Sequence, residues 1–538
     1  MSVPAVPATA ARWSYWRTNG WRNGSELWAA THLEPVWTLL RRLPGVRSAT
    51  NRLVINRLVY KMDTRPNMLS TKTPYTSWES LTDRTYSARH LPPDTRLQHR
   101  LQSEASVAEL FCRKEPRVSA KSTLLFSHFA QWFVDGFLRT DPNDVTRNTS
   151  THDIDLSQLY GQTEDVTHLL RTHCCGRLKS QQINGGEFPP YYFGRDGRVK
   201  PEFERLPLSY PGTDRKAVEL GELTEAQKRS LFALGIPRGN IHYGFVMLST
   251  LFLREHNRLA GLIAEEHPEW DDEHVFQAAR NTLIVILLKI VIEDYINHIT
   301  PFHFKLFVEP GIGVREKWYR QNWMSIEFDL LYRWHPLVPT DVVVGGAACA
   351  AEDVRWKTDV VTRKGLAALF DEASRQPSTE IGIRNTAEFL REIEERTIAI
   401  GRTAALASFN DYRHACGYPR LRSFRDFSTD PEVASALADR YRSVDDVELY
   451  VGLFAEDVRP NSALPTVMGT MVAVDAFSQA LTNPLLAKSV YNASTFSKAG
   501  MRAIKRTSRL QDLVDRNTPG EATAPLVTFT RTASAATR

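Results

Sequence analysis

Residues 327–339 read Glu327-Phe328-Asp329-Leu330-Leu331-Tyr332-Arg333-Trp334-His335-Pro336-Leu337-Val338-Pro339 and decide how the chain is interpreted. The apolar spacing predicts a helix over 322–334, on which a tyrosine and a histidine three residues apart share one face before a proline ends the run. A neutral imidazole in that setting can ligate a haem iron, and a phenol one turn away can lose an electron to an oxidised haem. Taken alone, a Tyr-x-x-His pair more often means amphipathic residues packed near a helix end.

Other segments add to it in chain order. They are Tyr75-Thr76-Ser77-Trp78-Glu79-Ser80 with Leu91-Pro92-Pro93, Phe129-Ala130-Gln131-Trp132-Phe133, and Asp155-Leu156-Ser157-Gln158-Leu159-Tyr160-Gly161. Further on come Leu253-Arg254-Glu255-His256-Asn257-Arg258, Ile290-Val291-Ile292-Glu293-Asp294-Tyr295, Ser408-Phe409-Asn410-Asp411-Tyr412-Arg413 and Ala493-Ser494-Thr495-Phe496. Together these blocks resemble the cyclooxygenases and related fatty-acid dioxygenases of the animal-type haem peroxidase superfamily, from about Glu26 to about Asn517.

The resemblance implies a mainly α haem peroxidase fold and a haem b cofactor. It implies an activity that adds O₂ to a long-chain unsaturated fatty acid through a tyrosyl radical, with a hydroperoxide to start the radical. His335 matches the family's proximal iron ligand and Tyr332 its radical tyrosine, with Trp334 packed beside the haem site. Arg57 best matches the arginine that holds the substrate carboxylate at the channel mouth, and Arg52 is the alternative one register earlier; a guanidinium suits that task. The remaining readings are a haem peroxidase of small reductants and a haem- or lipid-binding protein without turnover.

Departures from the family pattern matter as much. On the distal helix the family has Ala-Gln, three residues, then histidine, whereas here Ala130-Gln131-Trp132-Phe133-Val134 is followed by Asp135. Gln131 and Asp135 lie one turn apart, and a carboxylate with a raised pKa can move a peroxide proton. Either Asp135 does this or the peroxidase half-reaction is weak, with His128 as a conceivable substitute. Phe302 stands where a tyrosine partners the carboxylate-binding arginine, Ala476 where the aspirin-acylated serine lies, and Asp329 where an asparagine lies below the haem. These substitutions make prostaglandin formation doubtful and addition of one O₂ the expected chemistry. Arg254 and His256 form a polar patch on an apolar helix, and no catalytic role is assigned to them.

Composition sets the outer limits. In 538 residues no linker of low complexity divides the chain, and 24% charged and 42% hydrophobic residues describe an ordinary folded protein. A net charge of +5 with dispersed Lys and Arg excludes nucleic acid as an expected partner. Five scattered cysteines fit a reducing compartment rather than a disulfide scaffold.

Residues 1–25 are read as a flexible segment with no apolar signal core and no room for the disulfide-rich module of animal cyclooxygenases. The pattern of residues 26–68 suits amphipathic helices packed on the protein's own core or resting on a membrane, and the resemblance implies the membrane-binding role; residues 69–520 are expected to form the catalytic domain and 521–538 a disordered tail. The longest apolar run, Leu283 to Ile292, is about half the length of a membrane span and reads as a buried helix. Peripheral attachment on the cytoplasmic side of a membrane follows, and the family's dimers imply a homodimer.

Overall fold

In the computed structural model the described residues are 16, 18–62, 69–207, 223–521 and 524–532. Helices dominate, and the strands among these residues pair only two at a time. The principal helices are α1 (Trp21–His32), α2 (Glu34–Arg42), α3 (Pro44–Val59), α4 (Leu124–Val134), α5 (Tyr243–Glu266), α6 (Asp272–Ile290), α7 (Ile326–Leu331), α8 (Arg391–Thr403) and α9 (Thr466–Ala480). This is the mainly α architecture that the periodicity predicts.

At the centre, α5 packs against α4 on one side and α6 on the other. Each is apolar nearly all round, the pattern of a helix enclosed by protein. The expected buried helix is therefore α6. Together with the turns that follow it, residues 272–299 are long and apolar enough to cross a membrane, but 78% of the apolar window is covered by the protein itself. Asp271 caps α6, its carboxylate accepting from the backbone N–H of His274. At its other end the backbone widens into a π-helical turn, Val291–Ile296. Such turns turn a side chain out of the α-helical register, and this one carries Tyr295.

Several sequence expectations are corrected. The helix expected over 322–334 spans only α7: Ser325 caps it by accepting from Phe328 N–H, and Tyr332 already lies outside it. Trp334 has a non-helical backbone and His335–Leu337 form a separate 3₁₀ turn, because the residues before a proline avoid the helical region. Tyr332 and His335 thus do not share a helical face. The helix expected over 360–375 is broken at Gly365, whose φ of +78° ends one helix and starts the next. The run expected over 385–409 is helical only through α8.

The two ends also differ from expectation. Helix α1 begins within the segment read as flexible, and the fully buried Arg413 donates to Thr18 C=O and the Asn19 side chain while pairing with Glu456. Residues 1–15 and 17 lie outside the described residues. In the segment read as a disordered tail, Phe529 is buried against Phe126, Phe129 and Tyr295, and its carbonyl accepts from Thr123 N–H. An aromatic side chain of that size is reason enough for the chain to be held there. Residues 63–68 of the proposed membrane segment, and 522–523 and 533–538 of the tail, lie outside the described residues.

Candidate haem and radical site

The C-terminal end of α7 places the aromatic side of the site. Glu327, wholly buried, accepts from His90 N–H and the Tyr412 hydroxyl, which pins the helix from two directions. Just beyond it, Tyr332 stacks on Trp334 with ring centroids 4.6 Å apart and meets Phe328 edge-on at 5.0 Å. Trp334 in turn lies 5.8 Å from Phe126 of α4, so it joins the two elements by ring packing. The Tyr332 hydroxyl is buried beside that of Tyr295 without a well-formed hydrogen bond. Burial, with a contribution from the charge of Asp475, raises the Tyr332 phenol pKa, so the group is a neutral O–H at physiological pH. Asp475 itself is held by His90 Nε2 at 3.0 Å in a pair with no exposed surface.

His335 stands on the next turn of chain with 18% of its side chain exposed. Its Nδ1 lies 3.2 Å from the carboxylate of Glu394 on α8, near enough for an electrostatic pairing but outside hydrogen-bond geometry. Glu394 is fully buried and accepts from the hydroxyls of Thr386 at 2.7 Å and Tyr450 at 2.6 Å. A carboxylate on that side favours the tautomer protonated on Nδ1 and leaves the Nε2 lone pair for a metal. Asp329 pairs with Arg333 at 2.7 Å, accepts from Thr140 at 2.8 Å and lines the cleft described below. The acidic neighbour of the histidine is therefore Glu394. No marker in its sequence context, Arg391-Glu392-Ile393-Glu394-Glu395-Arg396, distinguishes it from its charged neighbours.

On the opposite wall, Gln131 of α4 and Asp135 one turn later have different partners. Gln131 Oε1 lies 2.9 Å from His242 Nε2, and Asp135 lies 3.1 Å from Arg238 Nε. Burial raises the Asp135 pKa, opposed by the positive charges of Arg238 and Arg333 and reinforced by Asp329. The Nε2 of His128 meets the Tyr243 hydroxyl at 3.1 Å, and its ring lies 5.1 Å from that of His242. That packing needs Gly244, because a Cβ there would sit 2.6 Å from the His128 ring. Sequence reading missed His242, which precedes α5 in a loop with no motif around it.

Asp135 and Arg333 both line a cleft of about 510 Å³, together with Arg139, Arg238, Arg396 and Ile400 among others. In sequence, Arg333 of this lining stands two residues before His335, and Ile393 stands next to Glu394. Arg139 Nε and Nη1 and Arg333 Nε are buried without hydrogen-bond partners among the described residues. Guanidinium groups in that state suit a ligand that brings its own carboxylates. A histidine beside a buried carboxylate, a cleft of this size and the unpartnered N–H groups of Arg139 and of Arg333 Nε fit a haem with its propionates.

The animal haem peroxidase family model matches residues 136–529. The chain belongs to that family. As a member it is a haem oxidoreductase of cyclooxygenase-like type. It is 32% identical over 513 residues to prostaglandin G/H synthase 1 of Rattus norvegicus, covering 93% of this chain and 81% of that one. It is 29% identical over 505 residues to prostaglandin G/H synthase 2 of Equus caballus, covering 91% and 80%. In fold it is similar to fatty acid alpha-dioxygenase of Oryza sativa, with a TM-score of 0.68 at 15% identity over 94% of this chain and 98% of the other. The haem peroxidase fold expected from residues 327–339 and the blocks around them is thereby established.

The structure places the expected substrate residues less compactly. Ala476 is buried on α9, which packs against both α7 and α3. Phe302 is half-buried in the stretch that follows the π-helical turn. Arg52 and Arg57 both lie on the exposed side of α3, and Arg57 is ion-paired with Glu26 of α1. The buried side of α3, Asn51, Ile55 and Val59, is what faces the body of the protein.

Proposed function

We propose that the chain binds haem b through His335 and adds O₂ to a long-chain unsaturated fatty acid by way of a radical on Tyr332. The observation that carries this reading is the Tyr332 hydroxyl, buried beside Tyr295 and short of hydrogen bonds, three residues from a histidine backed by a carboxylate. Bound haem supplies the one-electron oxidation that starts the chemistry. Tyr332 then loses its phenolic hydrogen, and the phenoxyl recovers one from an activated C–H of the fatty acid. The carbon radical so formed adds O₂, and the resulting peroxyl radical takes a hydrogen atom back from Tyr332, which gives the hydroperoxide and restores the phenoxyl. Burial among Phe328 and Trp334 keeps water from the phenoxyl. The test is oxygen consumption by haem-loaded protein given linoleate and a trace of peroxide. Uptake supports the reading; its absence beside an intact Soret band, with guaiacol still oxidised by H₂O₂, favours a peroxidase of small reductants.

Asp135 is the proton acceptor of the peroxide step in this reading, and its pH dependence has a definite sign. Its pKa is raised, so the carboxylate is lost as pH falls through a value above the ordinary aspartate range near ~4. Peroxide turnover is expected to decline with acidity from that point. Asp135→Asn is expected to slow it about a hundredfold and to flatten the profile; an unaltered rate and profile in stopped-flow assays removes Asp135 from the step.

Arg57 is the proposed carboxylate anchor and Arg52 its alternate, with Phe302 and Ala476 lining the acyl path. Peripheral membrane binding rests on α1–α3, where Trp21, Trp28, Val36, Leu39, Leu43 and Leu53 are exposed, Leu39 by 60% and Leu53 by 70%. Leu39→Glu combined with Leu53→Glu is expected to lower binding to phosphatidylcholine–phosphatidylserine vesicles at least about tenfold, since each buried leucine contributes about 1.5–3 kcal/mol. Equal sedimentation of the variant with vesicles would rule this surface out.

A further inference from the structure

His242, just ahead of α5, and Gln131 of α4 form a part-buried pair one helical turn from Asp135. His242 is the N-cap of α5, and its Nδ1 accepts from the backbone N–H of Phe245 at 3.3 Å. Accepting there places the ring proton on Nε2. Nε2 therefore donates to Gln131, and the atom 2.9 Å away must be the amide oxygen. Burial, with the charge of Arg238 and the proximity of His128, holds the His242 pKa well below the usual histidine value, so the ring carries this single proton throughout the working pH range. A chain of three fixed choices results: the helix cap selects the tautomer, the tautomer selects the amide orientation, and the amide oxygen is turned toward His242.

We infer that His242 is a positioning residue that holds the Gln131 amide with its NH₂ turned away from α5, on the helix that carries Asp135, as the hydrogen-bond donor to a peroxide oxygen. The inference rests on the haem reading above and adds to it the group that orients the distal donor in a chain with no histidine at position 135. A free glutamine amide has two nearly equivalent orientations, only one of which presents N–H to an anion. His242 removes the wrong one. Asp135, tied to Arg238, acts on the proton, while Gln131 acts on the oxygen that gains charge.

The test uses fluoride binding to the ferric haem-loaded protein, because fluoride at the iron depends on a distal donor and needs no turnover. Gln131→Leu is expected to weaken fluoride about tenfold, the scale of one hydrogen bond to a charged acceptor. His242→Asn retains a good helix cap but is too short to reach Gln131, and it is expected to lose most of that factor. The double variant is expected to be no weaker than Gln131→Leu alone, since the histidine acts only through the glutamine. Unchanged fluoride affinity in His242→Asn, or losses that multiply in the double variant, would overturn the inference. Failure of the wild-type protein to take up haem would show instead as a missing Soret band, and would remove the haem reading together with this one.

Discussion

Tyr332→Phe is expected to abolish fatty-acid-dependent oxygen uptake, by at least about a thousandfold, while leaving the Soret band and peroxide consumption in place. Loss of a chemically obligatory group acts on this scale, because no neighbouring side chain can repeat its step. Phenylalanine keeps the stacking on Trp334 and the edge contact with Phe328, so the change is confined to one hydroxyl. That hydroxyl has no well-formed hydrogen bond to lose, so stability is expected to change by less than about 1 kcal/mol. An oxygen electrode trace on haem-loaded variant protein decides the matter: uptake at the wild-type rate would leave Tyr332 an ordinary core residue.

His335→Ala is expected to lower haem affinity at least about a hundredfold and to remove or strongly shift the Soret band. Even partners of a metal-ligating histidine change metal affinity about 10–100-fold, so the ligand itself sets the lower bound of the effect. The arginines of the cleft could still hold the carboxylates of a loosely bound haem, which makes the position of the band as informative as its height. Glu394 survives in this variant with its bonds from Thr386 and Tyr450, so the proximal wall is not expected to collapse. Titration of haem into purified apoprotein measures the effect, and a band of unaltered position and affinity would place the iron ligand elsewhere.

Much of the fold was legible because it is carried by local pattern. Continuous apolar stretches such as Leu283 to Ile292 identify buried helices, and α6 is one. The ordered blocks from Tyr75 to Phe496 identified the family, which the family match over residues 136–529 establishes. Helix ends were less legible. The stop at Leu331 comes from backbone conformations around Trp334 and Pro336, and the break at Gly365 from one positive φ; apolar periodicity runs through both without a mark.

What the sequence determined by itself is the inventory: a mainly α chain with a tyrosine, a histidine, a distal glutamine and an aspartate at spacings that belong to haem chemistry. Only the tertiary structure decided which groups work in pairs. It set Glu394 against His335, gave Gln131 to His242 and Asp135 to Arg238, and left Arg57 paired with Glu26 on the outer side of α3. Gln131 and His242 are 111 positions apart, and His335 and Glu394 are 59 apart. Periodicity extends over a few turns, whereas a hydrogen bond depends on two atoms about 3 Å apart, and that proximity exists only once α4, α5, α7 and α8 have packed.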